Sequence, residues 1–226
     1  EDRFVVNRLE IGNLFDTRNT IANGIFEDKK YCYEVLPEIK NFILQLAVTL
    51  DAKKFDDWGN GVFVAKNAKV SASASIIGPC IIDEGAEIRH CAFIRGNAIV
   101  GKGAVVGNST ELKNVILFDK VQVPHYNYVG DSILGYKSHL GAGAITSNVK
   151  SDKTNVSIIL DKRRYNTNLR KFGAILGDCV EVGCGTVLNP GTVVGKNTNI
   201  YPLSMVRGYV RENSIYKGRD NVVRKN

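Results

Sequence analysis

The chain has little of what would tie it to a membrane, a disulfide framework or a structural zinc ion. Its longest apolar run, Phe42 to Leu50, is interrupted by Gln45 and falls short of the roughly 20 residues that span a bilayer. No secretory signal precedes it, so we expect a cytoplasmic protein without membrane insertion. The cysteines lack CxxC spacing, which disfavours zinc and favours reduced thiols. They are Cys32, Cys80, Cys91, Cys179 and Cys184.

The sequence also lacks a nucleic-acid signature, although its formal net charge is +7. It has no single basic block and no aromatic stacking motif of an RNA-binding module. Many lysines and arginines lie between Lys150 and Lys171 and between Arg207 and Lys225 instead. This distribution suits small anionic ligands, phosphates in particular, so we expect no nucleic-acid partner. No cluster of Asp, Glu and His suggests a metal site, and we expect none.

What the sequence does have is an apolar residue at every sixth position over most of its length. A helix repeats every 3.6 residues and a strand every 2, so a period of six fits neither as one long element. It predicts a mainly β fold, a parallel β-helix in which three hexapeptide repeats form one triangular coil of about 18 residues. The unbroken first part of this lattice is Val64, Val70, Ile76, Ile82, Ile88, Ile94, Val100, Val106 and Leu112.

The lattice also divides the chain into domains. Residues 1–61 lack the period and form an N-terminal helical cap and linker, while 62–217 form the β-helix. A polar excursion at 147–173 interrupts the β-helix, and we expect it to reach a neighbouring chain. Residues 218–226 form a basic tail.

A short helix is predicted within the N-terminal part. Apolar residues recur at helical spacing between Tyr33 and Leu50, with Pro37 in the first turn. Because a solenoid end must hide its apolar stack, we expect this helix to cover the open first coil.

Two features carry candidate chemistry. His125 lies just after an inward residue, so its side chain should project from the coil and can exchange a proton near neutral pH. The alternative is a turn histidine with a satisfied hydrogen bond. Arg95 and Lys113 are separated by three hexapeptides, hence one coil apart on the same face, where two cations can hold a phosphate. The alternative is a solvated surface pair.

Three segments carry a resemblance to a known family. They are Gly107–Lys113 (GNSTELK), His125–Asp131 (HYNYVGD) and Gly141–Asn148 (GAGAITSN). They resemble the left-handed β-helix acetyltransferase domain of the bacterial bifunctional N-acetylglucosamine-1-phosphate uridyltransferase/glucosamine-1-phosphate acetyltransferase, a hexapeptide-repeat acyltransferase. They resemble even more closely the solenoid half of sugar nucleotidyltransferase-like proteins. The resemblance covers 62–217 and implies a left-handed coil.

The resemblance also implies roles for individual residues. His125 corresponds to the general base that deprotonates a sugar amine. The sugar-phosphate and sugar contacts fall on Arg95, Lys113, Tyr128, His139, Asn148 and Lys153. Acetyl-CoA, as co-substrate, would lie in a groove between two solenoids near Ala142, Cys184 and Pro202. The family usually has Asn at His139, Ser at Cys184 and a small residue at Pro202.

The implied function is an acetyl-CoA-dependent N-acetyltransferase that acts as a homotrimer on a phosphorylated or nucleotide-linked amino sugar, of the glucosamine-1-phosphate type. The resemblance places this activity in UDP-N-acetylglucosamine and cell-envelope precursor metabolism. The alternatives are a non-catalytic module that binds a sugar phosphate or UDP-sugar, and a trimerising half of a sugar nucleotidyltransferase system. Residues 1–60 are too short for a nucleotidyltransferase domain and lack its Gly-rich loop, so we expect no such activity from this chain alone.

Overall fold

In the computed structural model, which describes residues 8–225, the six-residue period folds as a triangular solenoid. Successive strands lie on three different faces, and each pairs in parallel with the strands one coil above and below. The strands are β1 Phe55–Asp57, β2 Val62–Ala65, β3 Lys69–Val70, β4 Ser75–Ile76, β5 Cys80–Ile82, β6 Glu87–Ile88, β7 Phe93–Ile94, β8 Ala98–Val100, β9 Val105–Asn108, β10 Glu111–Leu117, β11 Gln122–His125, β12 Tyr128–Leu134, β13 His139–Leu140, β14 Ile145–Thr146, β15 Ser157–Leu160, β16 Arg163–Asn166, β17 Ala174–Leu176, β18 Glu181–Val182, β19 Val187–Leu188, β20 Thr192–Val194, β21 Asn199–Ile200, β22 Met205–Val206, β23 Tyr209–Val210, β24 Ser214–Gly218 and β25 Asn221–Arg224.

Each face is defined by the row of side chains that it points inward. Face 1 contributes Val64, Ile82, Val100, Leu117, Leu134, Leu176, Val194 and Val210. Face 2 contributes Val70, Ile88, Val106, Val123, Leu140, Val182, Ile200 and Tyr216. Face 3 contributes Ile76, Ile94, Leu112, Val129, Thr146, Leu188 and Val206. The three rows meet in one hydrophobic core, so the prediction of a parallel β-helix is confirmed.

After its unbroken part the lattice has two five-residue slips, from Leu112 to Leu117 and from Val129 to Leu134, and both fall at the corner between faces 3 and 1. There β10 and β12 run from one face onto the next without a break. Asn114 and Asp131 turn this corner with φ values of 55° and 48°, a left-handed conformation that Asn and Asp tolerate better than most residues. The slip therefore shortens the corner and leaves the faces intact.

The predicted helix spans Ile39–Ala47 and does not cover the first coil. It packs against β5, β8 and β10, on the outside of face 1. The segment before it runs along the same face, and the ring of Phe15 lies 4.8 Å from that of Phe118. The edge of the first coil is covered instead by β1, which pairs antiparallel with β2. The remaining short helices are Ile11–Leu14, Thr17–Asn19, Asn23–Phe26 and Cys32–Val35.

The reason for this placement lies in the outward side chains of face 1. These side chains are apolar and buried, whereas the outward residues of face 2 are mostly polar. The outward residues of face 1 are Ile81, Ile99, Ile116, Ile133, Ile175 and Val193. A face that is apolar on both sides needs a cover, as in parallel sheets with helices on both faces. The N-terminal segment covers β5, β8 and β10 on face 1, and the excursion covers β20 and β23.

The excursion at 147–173 packs on its own solenoid, and its contact with a neighbouring chain stays a prediction. Its strands β15 and β16 form a hairpin that packs against β20 and β23 of its own solenoid. Ile158 and Leu160 are buried in this contact, while the residues at the tip, 161–164, are exposed. Part of the basic tail forms β25, which pairs antiparallel with β24 on the last coil.

Close packing between coils predicts a large effect of Gly107→Ala. A Cβ atom on Gly107 would lie 1.7 Å from the carbonyl oxygen of Pro124, so the backbone of two coils must move apart. We expect a loss of about 3 kcal/mol or more in the free energy of unfolding. Gly143→Ala is the control. Gly143 has a φ of 69° but open space around it, so its substitution should cost only about 1–2 kcal/mol. Equal losses in urea denaturation would contradict the packing explanation.

Candidate functional site

His125 lies at the corner between faces 2 and 3, and its side chain is exposed. The backbone N–H of His125 donates to Oδ1 of Asn127 at 3.1 Å, and its carbonyl accepts from the N–H of Gly143 at 3.0 Å. Asn127 is buried and donates its amide to the carbonyls of Gly141 and Ala144, both at 2.9 Å. The turn that carries His125 is thus hydrogen-bonded to the next coil, while its imidazole faces solvent.

The candidate cofactor residues continue the same corner in successive coils. The N–H of Gly185 donates to the carbonyl of Ala142 at 2.9 Å, and that of Leu203 donates to the carbonyl of Cys184 at 2.8 Å. Adjacent coils are about 4.8 Å apart, so three steps cover about 14 Å. The structure therefore brings one row of candidates together, which we call the corner ladder. Its members are His125, Ala142, Cys184 and Pro202.

Arg95 and Lys113 lie at the corner between faces 3 and 1, and each already has a carboxylate partner. Nη1 of Arg95 is 2.7 Å from Oε1 of Glu111, and Nζ of Lys113 is 3.0 Å and 3.1 Å from the two oxygens of Asp131. The two cations are stacked one coil apart, as expected. They are not, however, an unoccupied pair in this single chain, because charge pairing across coils satisfies both.

Asp131 is the centre of this second cluster, and sequence reasoning missed its role. Its carboxylate is 5% exposed and accepts hydrogen bonds from Lys113, from Nδ2 of Asn114 at 3.0 Å and from Nδ2 of Asn148 at 2.6 Å. The Asp131 carbonyl accepts from the N–H of Gly173 at 2.8 Å, where the excursion returns to the solenoid. The signal was present in the sequence, because Asp131 follows Lys113 by the same three-hexapeptide interval that separates Arg95 from Lys113.

Tyr128 completes the cluster on the outward side of face 3. Its hydroxyl is 3.4 Å from Nδ2 of Asn148. Burial raises the pKa of the Tyr128 phenol, the negative charge of Asp131 raises it further, and Arg95 opposes the shift. The phenol is therefore a neutral hydrogen-bonding group at physiological pH. We call this group the Asp131 cluster, with members Arg95, Glu111, Lys113, Tyr128, Asp131 and Asn148.

Two predicted substrate residues lie outside this cluster. Nδ1 of His139 is 2.8 Å from Oε2 of Glu181 on the outward side of face 2. Lys153 lies in an exposed turn of the excursion, where its N–H donates to the carbonyl of Lys150 at 3.0 Å. Within residues 8–225, neither side chain has a hydrogen bond to the Asp131 cluster. Their roles toward a substrate remain predictions.

The corner ladder and the Asp131 cluster flank face 3 from opposite corners. Tyr128–Gly130 separate them along β12, a span on the order of 10 Å. Within one chain, His125 and the two cations therefore lie at opposite corners of face 3. A small molecule that lies across face 3 can place an anionic group at one corner and a nucleophile at the other. In chemical terms, face 3 offers cations, neutral donors and an exposed imidazole along one line.

The described part of the chain has no group of three or more His, Cys, Asp or Glu side chains arranged to hold a metal ion. Across the same residues, none of the helices has the length and apolar character needed to cross a bilayer. All five cysteines are free thiols, and burial raises the pKa of the Cys80 thiol to about 12. Cys184, in contrast, is exposed on the corner ladder.

The chain is similar to known proteins in sequence. The family model described as the GMPPB C-terminal domain matches residues 76–198, more than half of the chain. The chain is 32% identical over 233 residues to a bifunctional protein GlmU from Methanococcus maripaludis strain C5, covering 95% of the chain and 52% of the relative. It is 29% identical over 176 residues to a bifunctional sugar-1-phosphate nucleotidylyltransferase/acetyltransferase from Sulfurisphaera tokodaii strain 7, covering 70% and 44%. The chain thus spans about half the length of the curated relatives it matches.

A solved structure is also similar to this chain. It is the acetyltransferase domain of PglB from Neisseria gonorrhoeae FA1090 in complex with acetyl coenzyme A. The identity is 14% and the TM-score is 0.33, over 83% of this chain and 65% of that domain.

Proposed function

This chain belongs to the family of GMPPB C-terminal domains, and from that premise we propose that it is an acetyl-CoA-dependent N-acetyltransferase acting on an amino-sugar phosphate. One of its curated relatives is named as a bifunctional sugar-1-phosphate nucleotidylyltransferase/acetyltransferase. The observation that carries the proposal is the arrangement of the corner ladder and the Asp131 cluster on the two sides of face 3.

In this proposal, Arg95 and Lys113 bind the phosphate of the sugar. The Arg95 ion pair with Glu111 is exposed and contributes little in water, so a phosphate can displace the carboxylate. Lys113 keeps its partner Asp131, because that carboxylate is buried and also holds Asn148. Asp131 thus acts as a positioning residue that aims an ammonium and an amide at face 3.

The amine of the sugar points toward His125 at the other corner. It attacks the thioester carbonyl and forms the N–C bond while the imidazole takes a proton from the nitrogen. The C–S bond then breaks, and the imidazolium returns that proton to the sulfur, so coenzyme A leaves as a thiol. A thioester is already activated, so the protein contributes mainly position and proton transfer. Backbone N–H groups of the corner turns are available for the developing oxyanion.

We propose that acetyl-CoA lies along the corner ladder, and this predicts protection of Cys184. The Cys184 thiol is exposed, so iodoacetamide should alkylate it in the free protein. Saturating acetyl-CoA should slow that alkylation by about tenfold or more, by occupying the site. Cys91 is exposed on an earlier coil and serves as the internal control, since its rate should not change. Peptide mass spectrometry measures both rates. Equal alkylation of Cys184 with and without acetyl-CoA would exclude this placement.

We propose a homotrimer with sites between copies, because face 1 is covered while exposed apolar side chains lie beside the corner ladder on the last coils. Leu203 is 85% exposed and Met205 is 67% exposed. Such a patch is typical of an interface. Sedimentation velocity should show a trimer, and Leu203→Glu should shift it toward monomer because it introduces a charge at the contact. A monomer at micromolar concentration would refute this part of the proposal.

The direct test is coenzyme A release with a panel of acceptors. Glucosamine-1-phosphate has the amine that the proposal requires, and N-acetylglucosamine-1-phosphate is the matched control because its nitrogen is already acylated. Release of coenzyme A that depends on the free amine supports the proposal. The same background release with both compounds refutes it. A UDP-linked amino sugar in the panel tests whether the acceptor carries a nucleotide.

A second candidate function is binding without turnover, in a sugar-phosphate or UDP-sugar module or in the trimerising half of a nucleotidyltransferase system. The observation that favours it is that both cations are already paired with carboxylates. Saturable binding of UDP-N-acetylglucosamine without any coenzyme A release would select this candidate. A copurifying nucleotidyltransferase chain would point to the trimerising role.

A further inference from the structure

The C-terminal end of the solenoid contains a cavity of about 1050 Å³ that the proposed acetyl transfer does not use. We call it the end cavity. Arginines dominate its polar lining: Arg8, Arg164, Arg207, Arg211, Arg219 and Arg224. The lining has two carboxylates, Glu212 and Asp220, so six guanidinium groups leave an excess of four positive charges. Its lower part is apolar, with Val210 and Tyr216.

Three separate parts of the chain build the end cavity, and contacts fix their positions. The last coil forms its base, and the hairpin of β15 and β16 forms one wall. A Cβ atom on Gly208 would lie 2.6 Å from the carbonyl oxygen of Ile159, so this wall is packed tightly on the coil. Nη1 of Arg8 is 3.2 Å from Oδ2 of Asp161, which joins the N-terminal segment to the hairpin tip. The last coil, the hairpin and the N-terminal segment thus hold the cavity in place, so its arginines do not belong to a loose tail.

The two carboxylates in the lining neutralise only part of this charge. Glu212 accepts a hydrogen bond from the hydroxyl of Tyr209 at 2.9 Å. The pKa of Glu212 is lowered first by a hydrogen bond from its own backbone N–H, then by Tyr209, and further by Arg8 and Arg211. Across residues 8–225, no salt bridge to a carboxylate is found for five of the six arginines. These are Arg164, Arg207, Arg211, Arg219 and Arg224.

We propose that the end cavity binds a small phosphorylated anion of the nucleoside diphosphate class, through Arg8, Arg164, Arg207 and Arg211. Like charges in a concave site repel one another, and a polyanion relieves that repulsion. The planar fork of arginine matches two phosphate oxygens at once. A concave cavity of this size suits a small molecule, whereas nucleic-acid binding uses an extended basic stripe. Val222, an exposed apolar side chain of the lining, offers a surface to the nucleoside.

The four arginines proposed to bind the anion lie away from the corner ladder. Arg164 belongs to the hairpin over face 1, and Arg207 follows the last inward residue of face 3. Arg219, in contrast, follows β24 at the corner between faces 2 and 3, which is the far end of the corner ladder. A diphosphate that belonged to bound coenzyme A would depend on Arg219. A ligand that binds the end cavity independently of coenzyme A would depend on Arg164 and Arg207 instead.

Isothermal titration calorimetry of the full chain tests the proposal, with pyrophosphate and ADP as probes. The double variant Arg164→Gln/Arg207→Gln should bind both probes about tenfold or more weakly, because each lost guanidinium removes charge-assisted hydrogen bonds. The control is Arg89→Gln/Arg170→Gln, which removes the same charge from exposed positions outside the cavity. It should change the dissociation constant by less than about twofold, since surface charges at that distance are screened.

Three results would overturn the proposal. Equal weakening in both double variants would mean that only net charge matters. Competition by coenzyme A, together with loss of binding in Arg219→Gln but not in Arg164→Gln/Arg207→Gln, would assign the cavity to the cofactor. Binding of a duplex oligonucleotide without saturable pyrophosphate binding would assign it to nucleic acid. Because the readout is ligand binding, failure of this proposal is distinguishable from failure of acetyl transfer, which is tested by coenzyme A release.

Discussion

Replacing His125 by alanine should lower the rate of acetyl transfer by about 100- to 10,000-fold, the usual contribution of a positioned acid–base group. The turn that holds His125 is fixed by Asn127 and does not depend on the imidazole, so the variant should fold normally. Chromatographic measurement of coenzyme A is preferable to a thiol reagent, because the exposed Cys91 and Cys184 would react with it.

His90 offers a matched control for this experiment. It is an exposed histidine on the same corner as His125, two coils nearer the N-terminus, where its carbonyl accepts the N–H of Ser109 at 3.1 Å. His90→Ala should leave the rate within about twofold, because it lies beyond the corner ladder and makes no contact with the proposed site. Equal rates for the wild type and His125→Ala would remove the imidazole from the mechanism.

Replacing Asp131 by alanine should lower the free energy of unfolding by about 3–5 kcal/mol, the cost of breaking a buried ion pair from one side. Lys113, Asn114 and Asn148 would all lose the same acceptor, and Nζ of Lys113 would remain half-buried without its partner. Urea denaturation with far-UV circular dichroism measures the loss.

Two further substitutions sharpen this experiment. Asp56→Ala removes an exposed carboxylate, 3.8 Å from Nζ of Lys66, and should cost less than about 1 kcal/mol. Asp131→Asn keeps the shape and one acceptor oxygen, so its loss should fall between those of the two alanine variants. If Asp131→Ala is no more destabilising than Asp56→Ala, Asp131 is not the organising residue of the cluster. Asp131→Ala should also raise KM for the sugar phosphate, because Lys113 and Asn148 are no longer aimed at face 3.

The sequence determines the rows of the solenoid because each row depends on a spacing. Val64, Ile82 and Val100 follow one another at intervals of three hexapeptides, and they stack on face 1 as the period predicts. The cover of face 1 was missed, although its signal was present. Pairs such as Ile81-Ile82 and Ile99-Val100 place apolar residues on both sides of one strand, and such a strand cannot face water.

The candidate site could be predicted only in part for a similar reason. Stacking along one corner follows from the period, so the corner ladder and the positions of Arg95 and Lys113 were predictable. The partners of these cations depend on how far a side chain reaches across a coil. Glu111 follows Arg95 by slightly less than one full coil, and only the geometry of the corner shows that the two meet at 2.7 Å. The separation of His125 from the cations likewise depends on which corner each turn occupies.

The reversed strands at the two ends of the solenoid have a consequence for how copies of the chain associate. A stack of parallel coils is a template for end-to-end polymerisation, because each terminal strand has unpaired backbone groups. Here β1 lies antiparallel on the first coil and β25 lies antiparallel on the last one. A second copy cannot continue the face 1 ladder at the first coil or the face 2 ladder at the last. The two-residue strands β3 and β4 leave little free edge with which another copy could pair. Together with the antiparallel strands β1 and β25, these short edges disfavour fibre formation.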